Sequence, residues 1–251
     1  MRYLVLSDIH SNWEALEAAM AAVEGRYDQA ICCGDIVGYG ADPNRASDWV
    51  REHCQVVVRG NHDKAGCGLT DAHEFNAAAQ AAAFWTRNNL TPENLEWLRN
   101  LPVGPAQVND SGSDFHVVHG SLRDEDEYLV GAGDATAEFE HLPNQVTFFG
   151  HTHVQGGFVA QGKIIKALRP YHNSDISTLT LELQEREKYL LNPGSIGQPR
   201  DGDPRAALVI YSPGDKTLEY WRVPYDIPGA QQRIMEAGLP DVLAQRLGFG
   251  R

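Results

Sequence analysis

Two mixed β-sheets packed face to face and flanked by helices, an α/β sandwich carrying a helical cap insertion, is the fold class that this sequence predicts. Three observations carry it. Apolar runs alternate with helix-start signals over the first sixty residues, the β-α-β-α-β order of a parallel sheet with right-handed crossovers. After Gly150 the apolar runs become short and are separated by turn signals, as in antiparallel strands. Between these parts, residues 68–101 or so are rich in alanine and lack the strand pattern, which places the cap there. At 251 residues one domain spanning 1–251 is expected, because α/β folds reach this size undivided and can bury a sizeable core.

Each element has a local cause. Tyr3–Leu6 is a short apolar run that meets Ser7-Asp8 at once, which reads as a strand and not as a signal peptide. Ser11-Asn12-Trp13-Glu14 is a capping box that opens a helix to about Glu24. Ala30–Cys33 is the second strand. Asp42-Pro43 sets an N-cap and a first-turn proline for a helix to about His53. Gln55–Arg59 follows as a strand, with Val56, Val57 and Val58 suggesting burial on both faces. Ala77–Ala83 is helical by propensity, and Thr91-Pro92-Glu93 starts another helix. Phe115–Val118 and Val146–Phe149 are strands around a short helix at Gly133–Leu142. Further strands are expected near Val154–Ala160, Lys163–Leu168, Leu179–Leu183, Lys188–Leu191, Ala206–Tyr211 and Leu218–Val223, before a C-terminal helical segment, Gln231–Arg246, interrupted near Gly238.

The balance of 21 basic against 34 acidic residues, net −13, disfavours attraction to nucleic acid or anionic lipid. An anionic substrate must therefore be drawn in locally. No run approaches the roughly 18 apolar residues of a membrane helix. Cys32, Cys33, Cys54 and Cys67 form no C-x-x-C pair, and the first two lie in a buried-type strand, so a reduced cytoplasmic protein is expected.

Five polar segments, each after an apolar strand-like run, carry the chemistry: Asp8-Ile9-His10, Gly34-Asp35, Gly60-Asn61-His62-Asp63, His119-Gly120 and Gly150-His151-Thr152-His153. In open α/β sheets, ligands sit beyond the carboxyl ends of strands. The segments offer Asp, His and Asn and no sulfur, a donor set suited to divalent first-row cations and unlike structural zinc. Asp8 and His10 lie two apart in one extended segment and can aim at one ion; His151 and His153 share that spacing. Asp35, a short carboxylate in a glycine-flanked turn, suits a bridge between two ions.

In order and spacing these segments resemble the calcineurin-like metallophosphoesterase superfamily, with its D-x-H, G-D-x-x-G, G-N-H-[DE], later lone H and G-H-x-H. Asn192-Pro193-Gly194-Ser195 is similar to a loop of its small bacterial phosphodiesterase or phosphatase members. The resemblance implies the αββα metallophosphoesterase fold and two divalent ions. Mn2+ is foremost, and Fe, Zn2+, Co2+ or Ni2+ are compatible. It implies that Asp8, His10, Asp35 and His153 hold one ion and that Asp35, Asn61, His119 and His151 hold the other. His62 would be the catalytic residue, a general acid toward the leaving oxygen or a stabiliser of phosphoryl charge.

The chain departs from the protein phosphatases of that superfamily, where G-D-x-x-D-R-G stands. Here Gly38 and Tyr39 stand in place of the second Asp and the Arg, ahead of Gly40, which argues against a protein phosphatase. Another group must then grip phosphate, and Arg200, whose planar fork suits phosphate oxygens, is the first candidate. Tyr39, Phe75 and Trp85 are candidates to stack a base or leaving group, with core or cap packing the alternative; Asn76 could bond substrate or cap a helix. Asp63 is a candidate to orient His62, although sequence neighbours rarely face each other. The run Asp124-Glu125-Asp126-Glu127 reads as a solvated loop. The expected function is hydrolysis of small phosphomonoesters, phosphodiesters or nucleotides by a metal-activated hydroxide. Alternatives are a dinucleoside polyphosphate hydrolase of the same chemistry and a non-catalytic scaffold that kept the fold. No nucleic-acid or membrane partner is expected.

Overall fold

The structure, a computed structural model, describes residues 1–109, 114–172 and 177–251. Two six-stranded mixed sheets stack face to face. The first has the order β3 (Cys54–Val57), β2 (Gln29–Cys32), β1 (Tyr3–Leu6), β11 (Ala206–Ser212), β12 (Thr217–Val223), β9 (Thr178–Glu182). The second has the order β4 (Ala106–Val108), β5 (Phe115–Val117), β6 (Val146–Phe148), β10 (Lys188–Asn192), β7 (Gly156–Gln161), β8 (Ile164–Leu168). Parallel pairing joins β1, β2 and β3, and again β5, β6 and β10. Sequence halves do not map onto sheets: β11 returns from the late part of the chain to pair antiparallel with β1.

The apolar run in β1 is continuous because both faces are covered. Tyr3 and Val5 meet Phe115, Val117, Phe148 and Leu191 of the second sheet. Leu4 and Leu6 pack outward against Leu16 and Ala19 of α1 (Trp13–Ala22). Phe115 sits edge-on to Tyr3 at 5.0 Å and to Tyr211 at 5.3 Å between ring centroids. Each such ring contributes roughly 1.5–3 kcal/mol through burial. The helix α2 (Pro43–His53) joins α1 on the outer face of the first sheet, and α6 (Ala132–His141) lies on the second.

Several expectations shift. β3 is an edge strand with mixed exposure, so its valines are not buried on both faces. A short helix, α3 (Asn61–Cys67), opens within the Gly60–Asp63 segment, and β4 appears where no strand was expected. The stretch assigned to a cap holds α4 (Ala77–Asn89) and α5 (Pro92–Arg99). The C-terminal segment starts earlier than expected, as α7 (Ile227–Glu236) and α8 (Asp241–Leu247), because Asp226 caps the first helix by accepting from the Gly229 amide. Among the described residues no helix is long and apolar enough to cross a membrane.

Candidate metal centre

The loops after β1, β2, β3, β5 and β6 converge at one end of the sandwich and bring the five polar segments together. Donor atoms of Asp8, His10, Asp35 and His153 all lie within 4.8 Å of one another, and so do those of Asp35, His119 and His151. Asp35 belongs to both groups. Its Oδ2 stands 3.6 Å from His10 Nε2 and 3.5 Å from His119 Nε2, between the two sets. Asp8 Oδ1 lies 3.3 Å from His153 Nε2.

Main-chain carbonyls set the tautomer of each imidazole. His10 Nδ1 donates to Val37 O at 3.0 Å, His119 Nδ1 to Cys33 O at 2.8 Å, and His153 Nδ1 to Gln198 O at 2.6 Å. His151 donates through Nε2 to Asp126 O at 3.0 Å. The opposite nitrogens of the neutral His10, His151 and His153 rings therefore present lone pairs inward, as in metal sites whose histidines donate outward to an oxygen. Those inward nitrogens face one another: His10 Nε2 and His153 Nε2 at 3.0 Å, His119 Nε2 and His151 Nδ1 at 3.1 Å. The two lone pairs of His10 and His153 repel unless positive charge lies between them, whereas a protonated His119 donates to His151. Asp8 Oδ2, Asp35 Oδ2 and Asn61 Oδ1 are buried without a hydrogen-bond partner, an arrangement that is costly for a polar group. The nitrogen and oxygen donors together fit two divalent cations, with Asp35 shared.

The electrostatics agree. Burial pushes Asp8 up to about 7 and lowers His151 to about 3. Burial also holds His10 and His153 well below the usual imidazole value, so these rings are neutral donors. Burial opposes charge on Asp35 and His119 too, but each overcomes it for the other. Asp35 is held well below the carboxylate range, and His119 is raised to about 10. Asp35 is thus an ionised carboxylate balanced by the positive charge of His119.

Backbone strain concentrates here. Asp8, His10, Asp35, His151 and His153 all have φ between 50° and 66°, the left-handed region that side chains other than glycine rarely adopt. Asp63 is what holds one of these turns. Its carboxylate accepts from the amides of Gly60 (2.9 Å), Asp35 (2.9 Å), Ile36 (2.8 Å) and Val37 (3.1 Å), tying the Asp35 turn to the start of α3. Asp63 therefore does not orient His62. Its position three residues into a helix start is the capping signal that could have disclosed this role. Gly60 is required at that joint, since a Cβ there would collide with the Asp35 carboxylate.

His62 lies buried beside the clustered donors, its ring 4.3 Å from Tyr39, 4.5 Å from Phe75 and 4.9 Å from His10 between centroids. Its Nδ1 has no hydrogen-bond partner, and burial lowers it to about 4. Gly38 stands beneath the ring at φ +93°; a Cβ there would reach to 2.7 Å from Nδ1.

The other candidates separate. Arg200 reaches Tyr39 Oη at 3.3 Å and Gln198 Oε1 at 3.0 Å, and its Nε is buried without a partner. Tyr39 is 6% exposed and packs against His10 and His62. Asn76 uses its side-chain oxygen to cap α4, accepting from Ala79 N at 3.0 Å, and no site residue is among its hydrogen-bond partners. Trp85 packs with the C-terminal helices. The acidic run is not merely solvated: Glu125 binds Arg59 at 2.9 Å and Lys64 at 3.1 Å, and the Asp126 carbonyl anchors His151. The Asn192–Ser195 loop also braces the site. Asn192 Nδ2 donates to Gly150 O at 2.8 Å, and Ser195 Oγ donates to Asp8 O at 2.7 Å.

The model of the calcineurin-like phosphoesterase superfamily domain matches residues 1–213. An uncharacterized protein of Methanocaldococcus jannaschii is 36% identical over 255 residues, covering 98% of this chain and 97% of that protein. The crystal structure of a metallophosphoesterase from Sphaerobacter thermophilus superposes with a TM-score of 0.85 at 36% identity, covering 100% of this chain and 99% of that one. A hypothetical protein from Pyrococcus horikoshii shares the fold with a TM-score of 0.78 at 20% identity, covering 100% of this chain and 98% of that one.

Proposed function

The chain belongs to the calcineurin-like phosphoesterase superfamily, and from that premise we propose that it is a binuclear metal-dependent hydrolase of small phosphomonoesters, phosphodiesters or nucleotides. Membership supports hydrolase activity in general. The observation that carries the finer reading is the pair of inward-facing imidazole contacts on either side of Asp35.

In this reading Asp8, His10, Asp35 and His153 hold one ion, and Asp35, Asn61, His119 and His151 hold the second. Two divalent ions bound there, with Mn2+ foremost, neutralise phosphoryl charge and lower the pKa of water to yield a nucleophile near neutral pH. The protein's own part is positioning. The carbonyls of Val37, Cys33, Gln198 and Asp126 keep the four rings in their donor tautomer and orientation. Asp63 keeps the strained Asp35 turn in place. His62, packed between Tyr39 and Phe75 with a free Nδ1, faces the phosphoryl group as proton donor to the leaving oxygen or as stabiliser of its charge. Arg200 grips a phosphate oxygen through its fork.

Turnover of p-nitrophenyl phosphate and bis-p-nitrophenyl phosphate with Mn2+ present tests this. Hydrolysis of either supports the reading, and the ratio assigns monoesterase or diesterase preference. A protein that binds two ions and turns over neither is a scaffold with this fold.

A further inference from the structure

The family match ends at residue 213, yet α7 and α8 beyond it are built onto the site. Ala230, Ile234, Leu243, Ala244 and Leu247 form one apolar cluster with Tyr39, the same ring that packs on His10 and His62. Arg233 of α7 pairs with Asp42 and, at 3.3 Å, with Glu14, pinning the helices to the loop that follows Asp35. Gln231 Nε2 donates to Ala244 O at 2.9 Å and locks α7 to α8. This attachment places the Arg246 Cζ 5.7 Å from the Tyr39 ring centroid, while the Arg200 Cζ stands 5.8 Å from the same centroid.

Two guanidiniums share one tyrosine, and among the described residues neither has a side-chain carboxylate within ion-pair distance. Arg200 bonds to Tyr39 Oη and Gln198 Oε1, with Nε buried and unpartnered. Arg246 is held at Nε by Arg251 O, 2.7 Å away, and among the described residues no hydrogen bond or ion pair engages its two terminal nitrogens. Burial first, and then the neighbouring Arg200 charge, hold Arg246 below the usual arginine value. In a chain of net charge −13, an unneutralised cationic pair beside buried metal-ligand side chains is a local attractor for anions.

We propose that Arg246 and Arg200 form a two-guanidinium subsite selecting substrates that carry a second phosphoryl group next to the scissile one, the pyrophosphoryl class that includes nucleoside polyphosphates. The inference rests on the phosphoesterase reading and deepens it. Arg200 takes an oxygen of the reacting phosphoryl group, and Arg246 takes the adjoining one, each through charge-assisted hydrogen bonds.

The test uses the full chain loaded with Mn2+ and compares inhibition of p-nitrophenyl phosphate hydrolysis by imidodiphosphate and by orthophosphate. Arg246→Ala is expected to raise the ratio of the imidodiphosphate KI to the orthophosphate KI about tenfold, with partial recovery in Arg246→Lys. An unchanged ratio overturns the proposal, whether or not Tm falls, because the arginine then only packs on Tyr39. Should the wild type hydrolyse neither nitrophenyl ester, the phosphoesterase reading falls by itself. Calorimetric titration of the same two anions into wild type and Arg246→Ala then decides the subsite separately, by the same tenfold criterion.

Discussion

The two halves of the candidate centre are built differently. Asp8, His10 and His153 rest on β1 and on the loops before β7 and β11. All are essentially inaccessible, and their anchors, Val37 O and Gln198 O, lie in buried backbone. The other half leans outward. Asn61 is half-buried at the start of α3, and His151 is anchored by the carbonyl of Asp126, in an acidic loop whose Tyr128 is 50% exposed. Tyr128 stacks on His151 at 3.7 Å, so the outer wall of this half is a surface side chain. A cleft of about 520 Å³ lined by Asn61, Lys64, Phe75, Tyr128 and His151 opens on the same side. Ligand orientation governs affinity, so the inner half should hold its ion more tightly than the outer half.

The most damaging way to break this comparison is to remove the residue common to both halves. Asp35→Asn should abolish binuclear occupancy and lower kcat/KM by about 10³-fold or more. Metal counting by mass spectrometry checks it, and two retained ions would remove Asp35 as the bridge. His62→Ala comes next. It should keep both ions while losing about 10²–10³-fold in kcat, since His62 is not a ligand in either half; lost metal would mean its role is misassigned.

Lys64→Ala sharpens the asymmetry. Lys64 holds the acidic loop through Asp126 at 2.6 Å and Glu125 at 3.1 Å. Its loss should weaken the outer ion about tenfold and leave the inner one near its wild-type affinity. Mn2+ titration followed by electron paramagnetic resonance would resolve the two steps, and equal weakening of both would show that the halves are one unit. The smallest effect is expected far from either half. Ile164 on β8 is 60% exposed, so Ile164→Ala should change stability by no more than about 0.5 kcal/mol in urea unfolding.

The elements legible in the sequence were those with a strong local cause. Asp42-Pro43 and Thr91-Pro92 start helices where expected, because a fixed proline φ acts locally; Thr91 also caps its helix, whereas the Asp42 carboxylate makes no capping bond and pairs with Arg233. The clustered donor side chains were legible because the order of short Asp, His and Asn segments survives in one dimension. What could not be read were partnerships with no local signature. These include the Cys33, Val37, Asp126 and Gln198 carbonyls, which every sequence possesses everywhere. The several amides gathered by Asp63 and the approach of Arg246 to Tyr39 across some two hundred residues also lack one.

The sequence by itself determined which donor atoms this protein has and on which loops they lie, since residue type and strand-end placement are local properties. The tertiary structure alone decided which nitrogen of each ring points inward. It also decided that Asp35 lies between two groups of donor side chains, and that a C-terminal helix brings an arginine against Tyr39. Those features depend on long-range backbone contacts formed only when the two sheets close and bring distant loops within hydrogen-bond distance.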